Sequence, residues 1–416
     1  MLSVLRRRNF ALLWLGGFVS IAGDWVLHAA LPFFVYAETG STIATAGMIA
    51  AELLPGFLLG SVAGVFVDRW PRKKVLVYAN LLQAAVVAVL VLVPQGWLWL
   101  VYAVAAAQSA VASFSGPAES ALLPSLVDDA DLVPANALNA LNNRLGRLVG
   151  VPIGGALLGA VGLPAVVAVD VLTFLGAALL IAPIAVPHPP VTNHDERGAG
   201  EVVESAWSSL WQEWKAGLRI VGRERTIAVI FCVLGLMTFG GTMLDPLDVA
   251  WARSVLGAGP EIYATLLATH AASGIFGTLV VGRFGTGWQP RHLMGWTSVL
   301  AGLSCAVQYN IPLVWLALSM SALRGFTSVI SSVAVETVVQ RGIPDQYRGR
   351  VFGALGASGS LLSLLGAGVG GVFAEVVGIV PMLNVAAGLI VLAGLVVLRA
   401  FRPATTDGQT AHARVG

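Results

Sequence analysis

GVFVDRWPRKKVL, residues Gly64 to Leu76, decides the fold. An apolar run ends at Asp68. Arg69, Arg72, Lys73 and Lys74 follow within six residues, and a second apolar run begins at once. A soluble core does not need this much charge between two hydrophobic segments. A bilayer does, where two spanning helices are joined by a tight turn held on the cytoplasmic side by its basic residues. An ordinary basic turn between two helices would read the same way, so the rest of the chain has to decide.

The composition decides for the bilayer. The chain has 416 residues, 57% of them hydrophobic and only 11% charged, with a mean hydropathy of +0.82. Soluble domains carry about 25% charged residues. The 48 glycines suit helices that pack closely in lipid through small side chains. Cys232 and Cys305 both sit in apolar runs without paired spacing, so neither a metal site nor a disulfide framework is expected. No His or Cys cluster, nucleophile motif or phosphate loop points to catalysis. No cofactor and no nucleic-acid partner is expected. Arg6 to Arg8 precede an apolar run, but Phe10 to Tyr36 is too long for a signal peptide and carries Asp24 and His28.

A spanning helix needs about 20 apolar residues. Twelve such runs lie near 10–36, 43–67, 75–93, 97–117, 136–160, 164–186, 226–247, 261–282, 291–308, 312–335, 351–377 and 379–400. Of 24 Lys and Arg, 20 fall in the N-terminus, the even-numbered loops or the C-terminus, which predicts both termini to be cytoplasmic. Arg144 and Arg147 are read as the first turns of helix 5, near that side. Arg324 is read as the only basic side chain at the membrane centre.

The resulting division is an N-terminal bundle at 1–186, a linker at 187–225, a C-terminal bundle at 226–400 and a tail at 401–416. In the linker, Trp207, Leu210, Trp211, Trp214, Leu218 and Val221 recur at helical spacing. They predict an amphipathic helix that lies either on the membrane surface or on the protein's own cytoplasmic face.

The two halves repeat. LVGVPIGGALLGAVG from Leu148 aligns with LLGAGVGGVFAEVVG from Leu364 at an offset of 216. Gly150, Gly154, Gly155 and Gly162 match Gly366, Gly370, Gly371 and Gly378. The first three of each set, with Pro152, are the expected helix-packing residues.

The pattern G-x-x-x-D-R-x-x-R-K, carried by Gly64, Asp68, Arg69, Arg72 and Lys73, resembles the signature loop of the major facilitator superfamily, with Pro71 where Gly is usual. RNFALLWLGGFVS from Arg8, PANALNALNNRLGRLVG from Pro134 and IPDQYRGRVFGALG from Ile343 resemble its bacterial branch of macrolide efflux proteins and enterobactin exporters. The resemblance implies an all-α membrane protein with twelve transmembrane helices in two pseudo-symmetric six-helix bundles, the major facilitator fold. It implies a monomer in the inner (plasma) membrane, whose partners are the lipid bilayer, a small-molecule substrate and protons. Two features depart from proton-coupled relatives. Helix 5 reads GVPIGG where the antiporter motif reads GPxxGG, and helix 4 has no Arg between Trp97 and Pro117. The resemblance also assigns a conformational latch. Asp68 would dock at the start of helix 11, near Arg350 to Gly353, when the cytoplasmic side closes. Arg69 and Arg72 would face phosphate headgroups or acids such as Asp128, Asp129 and Asp131.

A charge at mid-bilayer costs at least about 2.5–3.5 kcal/mol, so each intramembrane ionisable residue needs a reason. Asp24 and His28 share a helix face and could share a proton or form a structural pair. Glu52 could accept a proton, or bond to backbone freed by Pro55. Arg324 could pair with an acid or bind an anionic substrate. These four are the proton-coupling candidates. Asp170 and Asp245 are placed near the interfaces, where water reaches them, and His270 is read as a core residue. Glu336 and Glu375, near helix ends, are expected to be solvated or capping. The expected activity is export of small amphipathic molecules by alternating access with proton antiport. A dedicated siderophore or natural-product exporter, and a non-transporting scaffold or sensor, are the alternatives.

Overall fold

The structure is a computed structural model that describes residues 2–92, 97–186, 208, 211–212, 214–222, 225–285, 288–342 and 348–400. The tail 401–416, and Trp207 and Leu210 of the linker, lie outside the described residues. Within them are twelve long helices. They are α1 (Arg8–Thr39), α2 (Thr42–Arg69), α3 (Arg72–Ala88), α4 (Leu98–Leu122), α5 (Leu132–Ala160) and α6 (Leu163–Ile181), then α7 (Arg225–Ser254), α8 (Pro260–Phe284), α9 (Pro290–Asn310), α10 (Val314–Gly342), α11 (Arg348–Val377) and α12 (Ile379–Ala400).

Ten of the twelve are long and apolar enough to cross a membrane; α5 and α9 fall short. Their polar residues explain this. Asn142 on α5 and Thr297, Ser298, Ser304 and Gln308 on α9 are buried against protein, where partners offset the cost of polar groups at membrane depth.

Two boundaries differ from the sequence reading in ways that matter. α5 begins at Leu132, so Arg144 and Arg147 lie about three and four turns inside it, not in its first turns. α7 runs on to Ser254, so Asp245 lies well within the helix rather than at its outer end. α7 reads short because Asp245 and Asp248 imitate a helix end, and α5 because Pro134 imitates a break near its start.

Within the first six helices, α1 packs on α5 and α6, α2 on α4, and α3 on α4 and α6. Among the last six, α7 packs on α11 and α12, α8 on α10, and α9 on α10 and α12. The two sets meet where α5 touches α8 and where α2 touches α11. Glycines allow these approaches. A Cβ at Gly150 or Gly154 would lie 2.2–2.3 Å from the Ala22 and Val26 carbonyl oxygens of α1. Gly366 and Gly370 make the equivalent approach to Phe239 and Met243 of α7. Gly155 meets Ala264 and Pro260 across the halves, as Gly371 meets Ala46 and Thr42. The 216-residue offset thus carries the same contacts. It also carries a left-handed turn after each helix, at Gly162 (φ 96°) and Gly378 (φ 103°), a conformation that favours glycine. Pro152 lies inside α5.

The close α2–α11 contacts lie at the end opposite the signature loop, while α5 and α8 stay joined further along, where Arg144 donates to Thr278 Oγ1 at 3.0 Å. Between α2 and α11, Thr42 Oγ1 donates to Gly371 O at 2.7 Å, and Glu375 accepts from the Ser41 hydroxyl and from Ile43 N at 3.3 Å. Glu375 therefore caps α2 from across the halves, a favourable place for an anion at a helix N-terminus. Tyr36 and Ser254 hydroxyls meet nearby at 2.6 Å. Toward the signature loop α2 and α11 are open. A Cβ at Gly60, Gly64, Gly353, Gly356 or Gly359 would meet nothing within 4 Å.

Among the described residues, neither Asp68, which is exposed, nor Arg72 pairs with a charge in this open conformer. Arg350 lies outside the described side chains, so the expected docking near Arg350 to Gly353 is seen only as far as Gly353, which faces open space. Arg72 donates to Ala121 O at 2.9 Å, and Lys73 to Ala182 O and Ile184 O at 3.1 Å. These two cations serve carbonyls left over at the ends of α4 and α6. Asp128 and Asp131 pair instead with Arg7, whose guanidinium holds the Asp128 carboxyl below the usual carboxylate range. In the linker, helical at 214–222, Trp214 Nε1 donates to Ser358 Oγ of α11 at 2.9 Å. Ile220 and Val221 pack on Ile227, Val338 and Val351. This segment rests on the protein's own C-terminal half, with Trp211 left exposed.

Candidate central transport site

α1, α2, α4 and α5 wall a cavity of about 350 Å³ lined by Asp24, Trp25, His28, Glu52, Gln108 and Asn143, among others. Asp24 and His28 do not pair. Gln108 Nε2 donates to Asp24 Oδ1 at 2.9 Å, and His28 Nδ1 lies 2.8 Å from Glu52 Oε2. The four-residue spacing puts Asp24 and His28 on one face, but each finds its partner on a neighbouring helix. Glu52 is therefore not a cap for backbone freed by Pro55. Separately, the Ser109 hydroxyl donates to the Glu52 backbone carbonyl at 2.5 Å.

Between the halves, a second cavity of about 130 Å³ is lined by Arg147, Asp245, Asp248, Tyr263, His270 and Arg324, among others. Arg147 reaches it from α5 with its guanidinium 4.8 Å from the Trp25 ring centroid. Arg324 is thus not the only basic side chain at this depth. Its partners belong to its own half. Nη2 lies 3.4 Å from Asp248 Oδ2, Nη1 donates to Tyr309 Oη at 2.6 Å, and the Tyr309 hydroxyl donates to Asp248. Trp251 Nε1, bonded to Tyr309 O at 3.1 Å, holds that tyrosine in place. A third cavity, about 410 Å³, lies on the C-terminal side and includes His270, Cys305, Arg324, Thr327, Ser331 and Glu336. His270 lines two of the three cavities and is not a core residue.

Sequence reasoning missed Arg147, Asp248, Tyr309 and Gln108. Arg147 was legible as a charge inside an apolar run, and Asp248 as one directly after the run at 226–247. Tyr309 and Gln108 were not, since uncharged polar residues in a helix carry no such signal. Asp170 was misplaced as hydrated. It is fully buried between α6 and α1, where a Cβ on Gly23 would lie 2.6 Å from its Oδ1. Its Oδ2 has no hydrogen-bond partner, and Thr173 Oγ1 reaches Oδ1 only at 3.4 Å. Asp170→Asn keeps the shape and removes an ionisable group that lacks good donors, so its thermal midpoint should equal or exceed the parent's. A clear loss in a thermal-shift assay would show that the carboxyl itself is needed.

Residues 1–414 match the family described as MFS_3, transmembrane secretion effector. Macrolide efflux protein A of Streptococcus pyogenes is 25% identical over 377 residues, covering 89% of this chain and 90% of that protein. The enterobactin exporter EntS of Citrobacter koseri is 26% identical over 416 residues, covering 96% and 95%. The crystal structure of the nucleoside transporter NupG superposes with a TM-score of 0.73 at 12% identity, covering 95% of this chain and 100% of that one. The chain belongs to this family of transmembrane secretion effectors, multi-pass membrane transporters of the major facilitator fold that carry small molecules by alternating access.

Proposed function

We propose that the protein exports small amphipathic molecules in exchange for protons, across twelve spanning helices in two six-helix bundles at 1–186 and 226–400, with both termini cytoplasmic. In that orientation the open signature-loop end faces the cytoplasm, and the conformer is ready to load from inside. The observation that carries the reading is the His28–Glu52 pair in the cavity wall, one turn from Asp24, with the His28 side chain half-exposed. A histidine and a carboxylate in contact can take up or lose a proton with a large change in local charge.

The cavities favour one kind of substrate. Asp24, Glu52, Asp245 and Asp248 face Arg147, Arg324 and His28. Arg324 is already committed to Asp248 and Tyr309. An anionic siderophore would have to displace that pairing at Arg324, or settle on Arg147 with Asp245 beside it in the same cavity. A cationic or neutral amphiphile, such as the macrolides named for one relative, would not. In the closed state Asp68 docks on the start of α11.

The test is uphill efflux from inside-out vesicles energised by a pH gradient. Asp24→Asn with Glu52→Gln should abolish macrolide accumulation and the accompanying proton movement while leaving protein levels intact. Asp68→Asn should also fold and fail to transport. If the double variant pumps at the parent rate, the proton-exchange reading is wrong.

A further inference from the structure

The outward-facing side of α3 and α4 holds a groove apart from the cavities of the candidate transport site. It has a volume of about 480 Å³ and is lined by Trp70, Pro71, Lys74, Tyr78, Leu82 and Phe114, among others. Tyr78 is 65% exposed and Leu82 52%, on a helix packed inward against α4 and α6. In a bilayer this exposure is to lipid. The groove therefore lies outside the cavities described above.

The groove itself is apolar, and the charge stands at the α3 N-terminus beside it. Arg72 and Lys73 are spent on helix-end carbonyls, and Arg69 is engaged as well. Lys74 is exposed, has no partner among the described residues, and is one of the residues lining the groove. It lies in the first turn of α3, whose N-cap is Pro71 and makes no side-chain cap. The backbone N–H groups of that turn are therefore open to an anion. With one acid, Asp68, against four cations, the loop as a whole is positive. From Lys74 to Leu82 the groove follows α3 for about 12 Å, at about 1.5 Å per residue. That is the reach of a good part of one acyl chain. Trp70 and Tyr78 are amphipathic aromatics of the kind found at headgroup level.

We infer that this groove is a binding site for a phospholipid with an anionic headgroup, its phosphate on Lys74 and the α3 N-terminus and one acyl chain between α3 and α4. The charge complementarity selects an anionic headgroup over a zwitterionic one. Because the site rests on the loop between α2 and α3, its occupant supports the loop carrying Asp68.

The test is thermal stability of the delipidated full-length protein titrated with phosphatidylglycerol or phosphatidylcholine, with retained lipid counted by native mass spectrometry. The parent should bind and be stabilised by phosphatidylglycerol preferentially. Lys74→Gln, an exposed substitution that should fold, is expected to reduce the affinity for phosphatidylglycerol about fivefold, as for one lysine near an anionic surface, and leave phosphatidylcholine unchanged. Ala110→Trp, filling the groove, should weaken both. Equal stabilisation by the two lipids overturns the inference, as does a preference that survives Lys74→Gln. Displacement of bound lipid by a macrolide would also overturn it, marking the groove as a drug site. None of these readouts depends on transport, so they stand apart from the proton-exchange reading.

Discussion

Gly155→Leu should abolish transport and depopulate the conformer described above. Gly155 lies where α5 meets α8, and even a Cβ there would sit 2.1 Å from Ala264 Cβ and 2.7 Å from Pro260 O. Backbone cannot move aside cheaply, and overpacking of this kind costs about 1–3 kcal/mol. The cost falls only on the state in which this end is closed. A differential of that size shifts a two-state equilibrium roughly 5- to 150-fold, toward the conformer closed at the signature-loop end. Gly371→Leu, at the matching position on α11, should do the same. The control is at the other end. Gly356 has open space around it in this conformer, so Gly356→Leu should leave this state intact and obstruct the opposite one. Spin labels at Lys74 and Arg283 would read the signature-loop opening: narrower in Gly155→Leu, wide and unresponsive in Gly356→Leu. The same distance distribution in both would refute the assignment of these contacts to opposite gates.

Arg324→Leu should be the most destabilising of the single substitutions in the cavity. It removes the guanidinium from Asp248 and leaves that carboxylate with only the Tyr309 hydroxyl. Breaking a buried pair by deleting one partner costs about 3–5 kcal/mol. Here the side chains keep 16% and 19% exposure, which places the expectation at about 3 kcal/mol. Removing both charges with Arg324→Leu and Asp248→Leu should recover part of the loss, because the penalty belongs to the orphaned acid. Thermal-shift midpoints for the two single variants and the double variant complete the cycle. Additive losses would mean that the two residues act independently and that the pair is not the unit described here.

Both experiments use features that differ in how far they could be read in advance. The glycines could be found by aligning the chain with itself, since Gly154 and Gly155 recur as Gly370 and Gly371. What each one touches could not. Gly154 lets α5 close on α1 within its own half, whereas its neighbour Gly155 bridges to α8. One residue turns the contact by about 100° around a helix, and which neighbour waits there depends on the whole bundle. The charges behave the same way. Asp24 and His28 share a face, which is a property of one helix. That His28 reaches Glu52 while Asp24 takes Gln108 depends on how α1 sits against α2 and α4.

A polytopic helical membrane protein, its basic turn after α2 and its internal repeat were all legible in the order of the residues. They follow from hydropathy, charge and spacing along one chain, which lipid reads locally. Folding in three dimensions was needed to set Arg147 beside Asp245 in one cavity, to seal Asp170 behind Gly23, and to make α2 and α11 meet at one end and part at the other. Those outcomes depend on the relative rotation and depth of helices far apart in sequence, and in lipid close packing sets both.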